Sequence, residues 1–181
     1  MKSNILVIGG GFVGLTLAAK FLKTKSCHVT ILENNPSRFL SLKNEKYYVD
    51  EPGLHEILEA GVSDLRLNFI DSVSVELYDS IFVCIGTLPT FISEESSKQV
   101  INLAHVVRKS LTRNGLVFLR STVTIGATQT FADQLKILER SDAQVFFLPE
   151  RTAEGVALAE LDSLPQIIGP TVNTHVSEAR V

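Results

Sequence analysis

The chain has 181 residues, 45% of them hydrophobic and 20% charged, which suits one packed globular domain with a small extension. Its 17 Lys and Arg against 20 Asp and Glu leave a net charge of −3 with neither sign clustered, so the basic stripe that nucleic acid demands is excluded. No apolar run approaches the ~18 residues of a membrane span, and Cys27 and Cys84 cannot build a disulfide framework. These features describe a cytoplasmic α/β protein with no nucleic-acid and no membrane partner.

The first apolar run, 4–8, leads into a glycine turn instead of a small-residue cleavage site, so it reads as a strand and not as a signal peptide. The turn is Gly9-Gly10-Gly11-Phe12-Val13-Gly14, and an Ala/Leu-rich helix is expected over 12–23. Strand, Gly-x-Gly-x-x-Gly and helix in this order form the dinucleotide fingerprint. Gly9 permits the tight turn, Gly11 lets the backbone approach a pyrophosphate, and Gly14 lets the helix pack on the strand, with Phe12 and Val13 at the helix start. The next strand, 28–32, ends on Glu33, which lies 19 residues beyond Gly14, close to the spacing of about 20 at which an acid meets the ribose. A carboxylate there accepts hydrogen bonds from ribose hydroxyls and repels a 2′-phosphate, favouring NAD over NADP; a glutamate also suits FAD.

Further along, strands are expected at 65–68, 80–85, 116–119, 144–148 and 166–168, and helices at 52–59, 96–111 and 125–139. Most of the strands are apolar on both faces, as strands of a buried parallel sheet are. The alternation defines an α/β, Rossmann-like doubly wound, mostly parallel sheet with helices on both faces. Three segments follow the carboxyl ends of strands: Gly86-Thr87-Leu88-Pro89-Thr90, Arg120-Ser121-Thr122-Val123 and Pro149-Glu150-Arg151-Thr152. In an open α/β sheet that is where ligands bind. His28, His55, His105 and His175 show no metal-ligand spacing, and no metal site is expected. Residues 174–181 read as the opening turns of a helix capped by Asn173. The expectation is therefore a single NAD-binding domain over 1–181 that is the front portion of a longer enzyme.

With these residues in view, the chain resembles the N-terminal domain of the UDP-glucose/GDP-mannose dehydrogenase family, the nucleotide-sugar 6-dehydrogenases. The matching segments are Gly9-Gly10-Gly11-Phe12-Val13-Gly14-Leu15, Glu51-Pro52-Gly53-Leu54, Val83-Cys84-Ile85-Gly86-Thr87, Arg120-Ser121-Thr122-Val123 and Pro149-Glu150-Arg151. The run from Pro149-Glu150-Arg151 through Glu154-Gly155 to Leu164-Pro165-Gln166 is most similar to the branch that oxidises UDP-N-acetylhexosamines.

The resemblance implies NAD as cofactor, a nucleotide sugar as substrate, and a two-step oxidation of the sugar C6 hydroxymethyl group to a carboxylate. In such enzymes a cysteine traps the intermediate aldehyde and water hydrolyses the resulting thioester. Thr122 matches the family threonine that helps place this water and borders the cofactor. Glu150 matches the family glutamate assisting proton transfer, a role that partial burial would serve by raising its pKa. Gly86 and Thr87 match cofactor-lining positions.

The family's cysteine nucleophile, its lysine and asparagine, and its sugar-binding domain have no counterpart here. Cys27 and Cys84 lie in apolar settings where thiols are inert. Leu88 also intervenes between Thr87 and Pro89, Ile125 and Ala127 stand where proline and threonine are common, and Glu33 replaces the usual aspartate. The domain is thus expected to be catalytically incomplete alone, with a homodimer as one assembly it could adopt. The alternative is a free-standing NAD-binding or sensing module without catalysis. An FAD- or NADP-dependent enzyme of another family is disfavoured by the Ser-Thr-Val and Pro-Glu-Arg segments.

Overall fold

The computed structural model describes residues 2–73, 76–87, 94–172 and 174. In chain order its elements are β1 (Ser3–Ile8), α1 (Phe12–Lys23), β2 (Cys27–Leu32), α2 (Pro36–Lys43), α3 (Leu54–Ser63), β3 (Leu67–Ile70) and β4 (Tyr78–Val83). They continue with α4 (Glu94–Asn102), α5 (Ala104–Ser110), β5 (Leu111–Leu119), α6 (Ala127–Ile137), β6 (Gln144–Phe147), α7 (Ala157–Ser163) and β7 (Gly169–Pro170). The sheet order is β3-β2-β1-β4-β5-β6-β7. Strands β1 to β6 pair in parallel and β7 runs antiparallel to β6. The chain lays β2 and β3 on one side of β1 and β4 to β6 on the other, so a switch point opens between β1 and β4. There the connections leave in opposite directions and a crevice forms.

Strands β1, β4, β5 and β6 carry apolar residues on both faces because each feeds two cores. On β1, Ile5 and Val7 pack with Leu15, Ala18, Ala19 and Leu22 of α1 and with Leu54 and Leu58 of α3. Leu6 and Ile8 point the other way, into a layer with Val100, Val107, Phe131 and Leu135 from α4, α5 and α6. A register slip of one residue would exchange the two sets, so the pairing is tightly specified. Phe82, Phe118 and Phe146, from β4, β5 and β6, stack across the first layer with ring centroids 4.7 and 5.3 Å apart. Such pairs add ~0.5–1.5 kcal/mol each beyond their buried area. Helix α1 buries Leu15, Ala18, Ala19 and Leu22, the i, i+3, i+4, i+7 stripe of an amphipathic helix. Its C-terminal end is closed by Arg66, whose Nη1 donates to the Leu22 carbonyl at 2.8 Å.

Several expected elements shift. The helix anticipated over 96–111 is two, broken at Leu103, and Leu111 already belongs to β5. Arg140 explains where α5 stops: its guanidinium takes the carbonyls of Arg108, Leu111 and Thr112 at 2.7–3.0 Å, replacing the next helical turn. The strand expected at 65–68 lies at Leu67–Ile70, because Leu65 takes φ +54 in the preceding turn and is 85% exposed. The last strand is Gly169–Pro170 rather than 166–168.

Helices α2 and α7 were not anticipated. The first has a weak apolar stripe, with Leu42 as its buried residue, and is announced instead by Asn35, whose side chain accepts from Arg38 N at 3.1 Å ahead of Pro36. Leu88, Pro89 and Thr90, and Asn173 with residues 175–181 of the expected terminal helix, lie outside the described residues. Among the described residues no helix is long and apolar enough to cross a membrane.

Candidate functional site

The glycines of the turn answer to three different constraints. Gly9 holds φ +110, and a Cβ there would lie 2.6 Å from the Cys84 carbonyl oxygen, because β1 and β4 leave the sheet side by side. Gly14 sits under the turn itself, where a Cβ would lie 1.9 Å from the Gly9 oxygen. At Gly11 a Cβ would meet nothing within 4 Å. Folding does not require glycine at position 11, so its bare backbone faces open space for another reason. Gly11 is also the N-cap of α1, it offers no side-chain acceptor, and the first turn of the helix contains no acidic residue. The partial positive charge of the helix N-terminus therefore remains available to an anion.

Glu33 is only 5% exposed and sits beside this turn. Its Oε2 accepts from Gly10 N at 3.0 Å and its Oε1 from Asn35 N at 2.8 Å. A carboxylate offers about four lone-pair sites, so these two bonds leave it further acceptor capacity, and Glu33 lines the cleft. Glu33 thus both braces the glycine turn and borders the space where a ribose would lie. Two further residues were not anticipated. The Tyr48 hydroxyl donates to the Gly10 carbonyl, bracing the turn from outside. Arg38 lines the cleft next to Asn34 and Asn35 and stands 6.0 Å from the centroid of the Tyr48 ring. Both lie downstream of the second strand, in a stretch without a recognisable motif.

At the other end of the crevice, the carboxyl ends of β4, β5 and β6 bring together Cys84, Gly86, Thr87, Arg120, Ser121, Thr122 and Glu150. Ser121 Oγ ties β5 to β4 by donating to the Ile85 carbonyl at 2.8 Å, leaving the exposed Thr122 on the cleft wall. Glu150 departs from the expectation that burial would raise its pKa. Burial does push the carboxyl up, but the hydrogen bond from Arg120, those from Thr152 and the Arg120 charge outweigh it, and the group lies below its ordinary value. Both oxygens are engaged: Oε2 is paired with Arg120, while Oε1 accepts from Arg151 N, Thr152 N and Thr152 Oγ1 at 2.7–2.8 Å. As it stands here Glu150 is a fixed anion, not a poised base. Arg151 turns its guanidinium away to the Pro165 carbonyl at 3.0 Å.

The Cys84 thiol is buried, and burial pushes its pKa to about 12; burial likewise raises that of Cys27. Neither is a nucleophile in this fold. Of the histidines, His105 reaches the cleft wall and His55 packs edge-on against Tyr47. Among the described residues no group of His, Cys, Asp and Glu could hold a metal ion.

The Glu51-Pro52-Gly53-Leu54 segment has a structural task. Glu51, 5% exposed, accepts from Gly155 N at 2.8 Å and Leu158 N at 2.9 Å. It caps α7 from more than a hundred residues away and anchors the loop that carries Glu150. The two ends of the crevice form one cleft of about 1250 Å³, running from Glu33 and Asn34 past Gly11 to Thr122 and Glu150.

A doubly wound sheet with an acid-free helix N-terminus at its switch point and a carboxylate on the second strand defines a Rossmann dinucleotide-binding domain. The comparisons narrow the class. The chain belongs to the UDP-glucose/GDP-mannose dehydrogenase family, as its NAD-binding domain, with the match covering residues 3–180. Among its relatives is a UDP-glucose 6-dehydrogenase of Bacillus subtilis, 29% identical over 159 residues that cover 86% of this chain and 36% of the relative. A UDP-N-acetyl-D-mannosamine dehydrogenase of Methanococcus maripaludis is 28% identical over 173 residues, covering 92% of this chain and 38% of the relative. The structure of a UDP-glucose dehydrogenase from Pyrobaculum islandicum superposes with a TM-score of 0.78 at 27% identity, covering 94% of this chain and 41% of that one. The chain thus spans well under half the length of these relatives, and its cofactor is NAD.

Proposed function

We propose that this chain is the cofactor-binding part of an NAD-dependent dehydrogenase that oxidises the C6 hydroxymethyl group of a UDP-sugar. The observation that carries the reading is Gly11, whose bare backbone the fold does not need and which faces open space at an acid-free helix N-terminus. The residues suit NAD. Gly11, Phe12 and Val13 would receive the pyrophosphate, Glu33 the adenosine ribose, and Gly86, Thr87 and Thr122 the nicotinamide end, with Gly9 and Gly14 shaping the turn. NAD, when bound, supplies a hydride acceptor. The chain's own residues bind and orient it, and Glu150 contributes a fixed negative charge beside Thr122. With both thiols buried, a reaction that needs a thiolate draws it from outside these residues. The names of the relatives support a UDP-sugar and divide between two sugars at nearly equal identity.

Cofactor choice tests the reading. Arg38 is the cation nearest in sequence to Glu33 on the cleft wall, and it stands against the Tyr48 ring. The Glu33 carboxylate is therefore expected to dominate and to repel a 2′-phosphate. Titration calorimetry should give at least tenfold tighter binding of NAD than of NADP, about 1.4 kcal/mol. Equal or tighter binding of NADP would overturn the assignment of Glu33.

A further inference from the structure

The Arg120 side chain is 1% exposed, although it stands directly on the cleft wall. Burying a guanidinium is costly unless its donors are met, and an apolar side chain would often serve packing as well. Its donors are met unevenly. Nη2 is paired with Glu150, Nη1 reaches Gln166 Oε1 at 3.4 Å, and Nε finds no acceptor among the described residues. A fold that needed only to fill this space gains little from such a group.

We propose that Arg120 is a positioning residue, one that fixes Glu150 as an anion in a single orientation against the reacting end of the cleft. This builds on the reading of that rim as the nicotinamide end. The backbone already sets one carboxylate oxygen through Arg151 N and Thr152 N, and Arg120 sets the other from the opposite side, so the plane of the carboxylate is determined. The surrounding charged and titratable groups leave that task to Arg120. The Arg151 guanidinium is turned to Pro165, Glu154 from the same loop lines the cleft, Glu51 is occupied by Gly155 and Leu158, and Cys84 is a neutral thiol. Without Arg120, burial would act on Glu150 against weaker opposition and favour its protonated form.

With Arg120 present, the folded-state pKa of Glu150 lies below the ordinary 4.5. Its contribution to stability is therefore present above the unfolded value and lost as pH falls through the folded one. Without Arg120 the folded value rises, and the contribution turns unfavourable as pH climbs through the unfolded value, reaching its full cost above the folded one.

The experiment is a carbon-13 carboxyl NMR titration of the 181-residue chain, with the Glu150 resonance assigned by its loss in Glu150→Gln. In the wild type Glu150 should remain a carboxylate down to pH values below 4.5. In Arg120→Gln the midpoint should rise by about one pH unit or more, a tenfold change in proton affinity. Arg120→Lys keeps a charge without the planar fork and should rise by less. An arginine that packs there without holding the Glu150 charge would lower the melting temperature of the glutamine variant and leave the midpoint where it was. An unmoved midpoint in Arg120→Gln, or in Arg120→Lys should the glutamine variant not fold, overturns the proposal. The titration uses neither cofactor nor sugar, so failure to bind NAD would remove the functional reading without changing the Glu150 midpoint, and the two failures are told apart.

Discussion

Gly14→Ala is expected to destabilise the fold by ~3 kcal/mol or more, although it adds one methyl group to a helix that otherwise favours alanine. The added Cβ would lie 1.9 Å from the Gly9 carbonyl oxygen and 3.2 Å from Cγ1 of Val7. The near atom is backbone, so no rotamer change relieves the contact. Either α1 must lift off β1 or the turn must open. Lifting α1 would expose the stripe of Leu15, Ala18, Ala19 and Leu22 that seals one face of the sheet. Opening the turn would break the bonds from Gly9 N to Leu32 O and from Gly10 N to Glu33. For a chain of this size the loss corresponds to a fall in melting temperature of about 6–12 °C or more, taking 2–4 °C per kcal/mol. Thermal unfolding followed by circular dichroism reads it directly. A variant melting within about 2 °C of the wild type would show that the helix does not pack on the turn as described.

Gly11→Val should behave in the opposite way, keeping the fold and losing the cofactor. Position 11 has φ −80 and ψ −171, extended backbone that valine adopts readily, and no atom lies within 4 Å of the added Cβ. The stability cost is confined to replacing a tolerated N-cap by a poor one, roughly 1 kcal/mol. The same side chain would stand over the N–H groups proposed to receive the pyrophosphate, so NAD affinity should fall at least 100-fold, about 2.7 kcal/mol. Calorimetry on a variant first shown to be folded makes the measurement. Undiminished affinity would mean that the dinucleotide does not lie across this turn. The contrast between two glycines three residues apart separates a glycine kept for packing from one kept for a ligand.

What was legible in the sequence was mostly local. The turn, the helix behind it and Glu33 lie within one strand-helix-strand unit, where spacing alone carries the geometry. The carboxyl-end segments at 86, 120 and 149 were placed on one rim by topology, and the structure gathers them there. Their chemistry was another matter. The state of Glu150 depends on Arg120, 30 residues away, and on two backbone N–H groups whose direction no pattern encodes. The family segment around Glu51 was recognisable, yet its task of capping α7 requires contacts 104 and 107 residues distant. Arg38 stands on a short helix with a weak apolar stripe and Tyr48 in the irregular stretch beyond it, and apolar periodicity is what reveals an element to sequence reading. The end of α5 before Leu111 was equally hidden, since it depends on the distant Arg140.

The most direct test of the central claim is a crystal structure of the chain with NAD. The pyrophosphate should lie within hydrogen-bond distance of the backbone N–H groups of Gly11, Phe12 and Val13, with the adenosine ribose hydroxyls on Glu33. The nicotinamide should occupy the rim formed by Gly86, Thr87, Thr122 and Glu150. A dinucleotide bound outside this cleft, or one bound in reverse with its nicotinamide ribose on Glu33, would contradict the account.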